Sequence, residues 1–516
     1  MPPPTNAFAD LLLGQAGREP GRRLLWGPDG TTWTYGDLDA TSARLAHALA
    51  ARDVRPGDRI SVQLPKSAGL LALHVACARV GAVWCPLNTA YTDREVDDLV
   101  ADADPVLVVR ERPVRGVTTV ALAALQAEAE SLSPAYDDVP RSAGDPAVML
   151  YTSGTTGRPK GAVLSAGNLC FGARNLATAW GFSRDDVVLH VLPLHHAHGL
   201  FVAVHVTLAA GGALRFHEAF EPGRVLADLP ACTVFMGVPT HYTRLLSHPG
   251  LDRTAAERVR LFTCGSAPLL AATHEAFRER TGAAILERYG MTETHMIASN
   301  PLHGQRRPGT VGPPLPGVQV RIVAGPAGDS ASDGSPGAAG VAVHDRGVAD
   351  DSSSGATAPG AGEPGGIEVS GPNVFGGYWR RPELQATEFT PDGWFVTGDV
   401  GRFDADGYLE IVGRAKDLVI SGGLNVYPKE VEQALDALPG VLESAVVGVA
   451  DPDFGEAVVA AVVAEPGAGL DPEELRRLLR ADLAGFKIPK RVYVVEALPR
   501  NTMGKVRKDV LRDQLA

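Results

Sequence analysis

The sequence predicts an α/β protein in two parts: a large multi-layered N-terminal domain with mostly parallel sheets, and a small α+β C-terminal domain. Three observations lead there. The chain has 516 residues, too many to gather around one hydrophobic core. From Asp145 to about Tyr289 short apolar runs alternate with helical patterns, as expected where helices layer onto a parallel sheet. Beyond Arg414–Asp417 the alternation restarts on a smaller scale.

In chain order, "AVMLYTSG", "DVVLHVLPL", "CTVFMGVP", "VRLFTCGS" and "AAILERYG" read as buried strands. The intervening "NLCFGARNLATAW", "LFVAVHVTLAA", "HYTRLL" and "LAATHEAFRERT" read as helices. Ligands of such sheets bind beyond the carboxyl ends of the strands. The polar tails Thr152-Ser153-Gly154, His195-His196, Gly265-Ser266 and Tyr289-Gly290 all fall there and can converge on one site. Ala324 to Gly366 is dominated by Gly, Ala, Ser, Asp and Pro, cannot bury enough apolar surface to order itself, and is expected to be a mobile surface insertion. "IEVSGPNVFGGYW" then resumes β character. In the smaller unit "KEVEQALDAL" and "DPEELRRLLRADLA" are its helices, and "ESAVVGVAD", "EAVVAAVVAE" and "RVYVVEAL" its strands. The expected domains are 1–415 and 416–516, and no internal repeat is visible.

Hydrophobic content of 45% and charged content of 21% are those of a soluble globular protein. A net charge of −12 argues against a general binder of nucleic acid or anionic membrane, which needs a basic face. Five cysteines without C-x-x-C spacing suit a reducing compartment rather than a disulfide framework or zinc site. "MPPPTNAFADLLLGQAGREP" has no basic region followed by a long apolar run, and no window makes a clean bilayer span. A cytoplasmic enzyme is expected, with neither membrane nor nucleic acid among its partners.

"YTSGTTGRPKGAV" is the strongest local signal. A strand delivers serines, threonines and glycines and ends in Lys160, so backbone N–H groups, hydroxyls and one ammonium can close on phosphate oxygens. The spacing is not that of a Walker A loop. His195, His196 and His198 in "LPLHHAHGL" could in principle hold zinc, but no fourth ligand is in view. In "ILERYGMTETHM" Arg288 sits at the rim of a buried strand, where an unpaired charge costs several kcal/mol. Glu287 is no partner for it, because neighbours on a strand point to opposite faces.

The ordered set "YTSGTTGRPKG", "LPLHHAHG", "GSAPL", "ERYGMTET", "VTGD", "GRAKDLVISGGLNVYPKEVE" and "PRNTMGK" resembles the adenylate-forming superfamily of acyl-CoA synthetases, adenylation domains and luciferases. Within it the resemblance is strongest to the malonyl-CoA synthetases. It covers nearly the whole chain apart from the insertion. It implies ATP, Mg²⁺ and coenzyme A as cofactor and co-substrates. Thr152, Ser153, Gly154, Thr155, Thr156 and Lys160 would wrap the β- and γ-phosphates, Thr292 would touch the α-phosphate, and Glu293 would be the metal carboxylate. Gly265, Ser266, Ala267 and Pro268 with Glu287, Tyr289 and Gly290 would form the adenine slot. Asp399 would accept from both ribose hydroxyls, assisted by Arg414. His196 would stand beside the acyl carboxylate and gate the thiol channel, with His195 a bystander. Lys505 would be the mobile catalytic lysine. The C-terminal domain would turn about Lys416, bringing Gly422 and Gly423 to a pantetheine arm. As in related synthetases, Lys505 resembles a substrate for a lysine acetyltransferase and deacetylase, whose mark removes its charge.

The arginines bear on the acid. Fatty-acyl relatives usually carry a small residue where this chain has Arg288, and amino-acid adenylation domains carry an aspartate near "VFMGVPT", which this chain lacks. Arg288 on the rim and Arg244 on the following helix are expected to point into one pocket with Ser266 and bind a second carboxylate, that of malonate. Ala197 stands where close relatives usually have a larger residue, which suggests room for C2-substituted malonates such as methylmalonate.

Overall fold

The computed structural model describes residues 5–27, 29–153, 159–323, 342–344, 362–421, 424–451, 454–501 and 504–516. The fold is the predicted mixed α/β arrangement, with a large N-terminal body and a small C-terminal one. Two sheets organise the large body. One has eight strands in the order Ala298–Ser299, Ile285–Tyr289, Leu261–Cys264, Val234–Gly237, Val187–His190, Ala213–Phe216, Arg23–Trp26 and Thr32–Thr34, parallel except at its two ends. The other has six, in the order Thr119–Val120, Leu107–Val109, Arg59–Val62, Val83–Pro86, Pro146–Ser153 and Pro159–Ser165. The register Gly237–Cys264–Glu287 brings three strand ends to one edge of the eight-stranded sheet. In the other sheet the antiparallel hairpin pairs Thr152 with Lys160. The helical stretch after "LPLHHA" opens with a wide, π-type turn at His198–His205 and only then becomes an α-helix, Val206–Ala210. Such turns recur at functional sites. Gly199 permits this one, since a Cβ there would lie 2.0 Å from the Pro193 carbonyl oxygen.

A third, antiparallel sheet orders Ala342–His344, Gln319–Val323, Gly365–Ser370, Phe395–Phe403 and Leu409–Arg414 and pairs Asp399 with Arg414. The stretch expected to be a structureless insertion therefore contributes Ala342–His344 and the start of Gly365–Ser370 to a sheet. The rest of it, up to residue 361, lies outside the described residues.

One hydrophobic cluster runs from Phe8 to Leu409 across the large body. From Val419 onward the core is separate. Val446 and Val458 join Val431, Leu435 and Leu475 on one face of the C-terminal sheet, while Val447 and Val459 join Leu511 on the other. Successive strand residues point to opposite faces, so the apolar runs predicted as strands cover both. All five cysteines are buried and free. Among the described residues no helix is long and apolar enough to cross a membrane.

Candidate active site

Arg288 and Glu287 alternate on the strand Ile285–Tyr289. The Glu287 carboxylate turns to His274 Nδ1, 3.4 Å away, and accepts from the Gly309 N–H at 3.1 Å. Arg288 turns the other way. It is 6% exposed, and its Nε and Nη2 find no partner among the described residues. Gly265 makes the room, since a Cβ there would sit 2.2 Å from the Arg288 Cζ. Burial pulls the guanidinium down to about 10, opposed by Cys264 and Tyr242, so it stays charged at neutral pH. A buried cation with two idle donor nitrogens is a socket for an anion.

Neutral imidazoles surround it. His198 is buried, with Nδ1 3.3 Å from Ser266 Oγ and Nε2 unpartnered. Burial, then the nearby Arg288 charge, holds it well below the usual histidine range. Ser266 has φ +69°, a left-handed conformation rare outside glycine and worth about 1–3 kcal/mol of strain, as functional sites tolerate. His196 Nε2 is also shielded and unpartnered. Burial, His195 and Lys505 pull His196 down to about 3. It can accept or donate one hydrogen bond without adding charge.

The phosphate side lies at the hairpin. Thr152 Oγ1 donates to Glu293 Oε1 at 3.2 Å, and the Tyr378 hydroxyl donates to the same oxygen at 2.9 Å. Glu293 is 5% exposed, and burial raises its pKa; Arg414 acts on it only through the field. A buried carboxylate flanked by hydroxyls, with no basic side chain hydrogen-bonded to it among the described residues, is a hard oxygen set that fits Mg²⁺. Lys160 is buried, and its ammonium pairs with Glu388 at 2.8 Å. Asp399 accepts from the Tyr289 hydroxyl at 2.5 Å and pairs with Arg414 Nε at 2.7 Å. Both its oxygens are engaged, so a ribose would have to share them. Lys505 arrives from the C-terminal turn. Its side chain keeps solvent access, yet partial burial, then the Arg414 charge, lowers its pKa, with Asp399 and Glu293 opposing and Arg288 adding to the fall.

Several expected residues stand elsewhere. Arg244 does not join Arg288. It is exposed, with its guanidinium 5.0 Å over the Phe220 ring. Its helix, Pro239–Leu246, buries Tyr242 and Leu245, which turns position 244 toward solvent. The socket therefore holds one guanidinium rather than two. Glu287, expected at the adenine, spends its carboxylate on His274 and Gly309 and its carbonyl on Asn300. Ala267, Pro268, Gly290 and Thr292 follow the strand ends as expected, while Lys416 is exposed on a short turn, Ala415–Asp417. Gly154, Thr155, Thr156, Gly422 and Gly423 lie outside the described residues, and of Ser153 only the backbone is described. His195 lines a cavity of about 140 Å³ with Lys66, Trp84 and Glu218, and its ring packs 4.4 Å from that of His196.

Tyr378, Glu388 and His198 were not singled out for these contacts from sequence. The first two follow the insertion, more than two hundred residues after Lys160, and no local motif ties them to it. His198 shares the "HHAHG" run with His196, and only the fold shows that its Nδ1 faces Ser266.

Known proteins match the chain over most of its length. The model of the AMP-binding enzyme family matches residues 12–379, and that of the AMP-binding enzyme C-terminal domain matches residues 430–505. The structure of ATP-bound MatB from Rhodopseudomonas palustris superposes with a TM-score of 0.89 at 45% identity, covering 99% of both chains. A feruloyl-CoA synthase from an Amycolatopsis species is 38% identical over 493 residues, 94% of each chain. The malonate–CoA ligase of Arabidopsis thaliana is 33% identical over 554 residues, covering 94% of this chain and 85% of its own.

Proposed function

The chain belongs to the AMP-binding enzyme family as an adenylate-forming CoA ligase, and from that premise we propose that the acid it activates is malonate. Malonate attacks the α-phosphorus of ATP to give malonyl-AMP and pyrophosphate, and the CoA thiol then displaces AMP to give malonyl-CoA. One observation carries the choice of acid: Arg288 is buried and charged, with Nε and Nη2 unpartnered among the described residues. A carboxylate distal to the reacting one satisfies both nitrogens. A ferulate or a fatty acid leaves them bare, at a cost of about 3–5 kcal/mol.

The other residues take roles consistent with that reaction. Glu293, with Thr152 and Tyr378 on its oxygen, would hold Mg²⁺, which screens the phosphate charge. Lys505 lies among the groups that would meet the α-phosphate and the reacting carboxylate, and its charge opposes the repulsion between two anions. Neutral His196 orients the reacting carboxylate without competing for it. Asp399 and Arg414 hold the ribose. We place the hinge at Lys416, dividing 1–415 from 416–516; rotation there removes Lys505 and admits the thiol. A chain that loads a carrier protein instead would share the first half-reaction only.

ATP–pyrophosphate exchange with malonate, methylmalonate, succinate, ferulate and octanoate, followed by thioester formation with free CoA, tests this. Malonate should lead and free CoA should suffice. A lead for ferulate or octanoate overturns the choice of acid, and exchange without thioester formation favours the carrier-protein reading.

A further inference from the structure

Lys160 is 8% exposed, and its ammonium is committed twice. It donates to Glu388 Oε1 at 2.8 Å and lies 5.0 Å from the centroid of the Tyr378 ring. Glu388 ends a one-turn helix, Gln385–Glu388. Phe389, next in sequence, stacks on Phe375 at 5.8 Å and packs on Phe395 at 5.4 Å, so the carboxylate hangs from an anchored aromatic cluster. The same Tyr378 hydroxyl donates to Glu293, and both carboxylates act on that phenol. Glu388 thus stands as a fixed negative charge against the Lys160 ammonium of the phosphate hairpin, one ring away from the expected metal carboxylate.

A site built only to grip polyphosphate would leave its lysine free or pair it with a neutral group. A carboxylate at 2.8 Å instead makes each phosphate oxygen compete for the ammonium. The penalty bears hardest on free pyrophosphate, which carries more charge at this end than ATP and lacks the adenosine contacts that offset it. We propose that Glu388 is a positioning residue whose carboxylate holds Lys160 in place and weakens its grip on pyrophosphate, so that the first product leaves before the C-terminal domain turns. This rests on the assignment of Lys160 to the phosphates.

The test uses the full chain with inorganic pyrophosphate and Mg²⁺ as probe. Glu388→Gln keeps the shape and a hydrogen bond to Lys160 while removing the charge. It should bind pyrophosphate about tenfold more tightly by titration calorimetry, lower the KM for ATP severalfold, and reduce kcat for malonyl-CoA formation as product release slows. In a Lys160→Met background the same substitution should change pyrophosphate affinity by less than twofold, because its effect runs through the ammonium. Glu388→Asp, which keeps the charge, should restore wild-type affinity to within about threefold. Unchanged or weaker pyrophosphate binding in a folded Glu388→Gln overturns the proposal, and so does an undiminished effect in the Lys160→Met background. If Lys160→Met alone leaves affinity for ATP and pyrophosphate intact, it is the phosphate assignment that fails.

Discussion

Arg288→Met removes the charge of the socket while filling much of its volume, and the structure predicts two opposite consequences. Burial lowers Arg288 from 12.5 to about 10, a difference equivalent to about 3 kcal/mol against the charged form in the fold at 1.36 kcal/mol per pKa unit. At neutral pH the folded and unfolded chains both carry the proton, so the full penalty stands, and it disappears only as pH rises through about 10 toward 12.5. The ligand-free variant should therefore be more stable, by about 1–3 kcal/mol after the lost packing of the longer side chain. Malonate should suffer. Removing one partner of a buried charge pair costs about 2–5 kcal/mol, and Coulomb's law at about 4 Å with an effective permittivity near 20 gives about 4. The kcat/KM for malonate should fall by about 10²–10³-fold. That for 3-methylbutyrate, which places two methyl groups where malonate has its second carboxylate, should hold or rise. Thermal unfolding without ligand and ATP–pyrophosphate exchange with the two acids measure both sides. A variant that keeps malonate turnover within threefold of wild type refutes the socket, and a lower unfolding midpoint refutes the claim that the guanidinium is uncompensated.

Glu293→Gln should raise or preserve the unfolding midpoint at neutral pH, because burial penalises the carboxylate, while exchange falls by at least about 100-fold; loss of both stability and activity would instead mark a structural role. Lys505→Gln, a neutral mimic of the acetylated side chain, should abolish pyrophosphate exchange yet pass preformed malonyl-AMP to CoA at a near-wild-type rate, and failure in both half-reactions contradicts its assignment to the first. Ala197→Thr should lower kcat/KM for methylmalonate about tenfold more than for malonate, and equal losses remove Ala197 from C2 selection. Asp436 in the C-terminal unit is pushed up to about 7 by burial, with Glu432 and Glu443 adding to the rise and Ser444 opposing it. Between 3.8 and about 7 the folded chain holds a proton that the unfolded chain has lost, so stability falls as pH rises across that window. Asp436→Asn should accordingly raise the midpoint at pH 8 by more than at pH 5, and an equal gain at both removes the titration.

Strand ends and the turns beyond them were readable because apolar runs terminate in polar tails, and in a parallel sheet those tails share an edge. That logic placed the tails after Leu261–Cys264 and Ile285–Tyr289, with Ser266 and Tyr289, on neighbouring parallel strands, and alternation along one strand separated Arg288 from Glu287. It failed where the third dimension decides. "THYTRLL" shows an arginine beside a strand end, but only the burial of Tyr242 and Leu245 shows that Arg244 faces solvent. The composition of 324–366 hid Ala342–His344, whose pairing with Gln319–Val323 depends on a partner strand rather than on its own apolar content. The Glu388–Lys160 pair joins residues 228 positions apart, a separation that no local pattern spans.

The most direct test is a crystal structure with malonate and a non-hydrolysable ATP analogue. The account predicts the distal carboxylate of malonate within about 3 Å of Arg288 Nε and Nη2, with the reacting carboxylate turned toward Lys505 and His196. A distal carboxylate held by Arg244 or left in solvent, with Arg288 still bare, would contradict it.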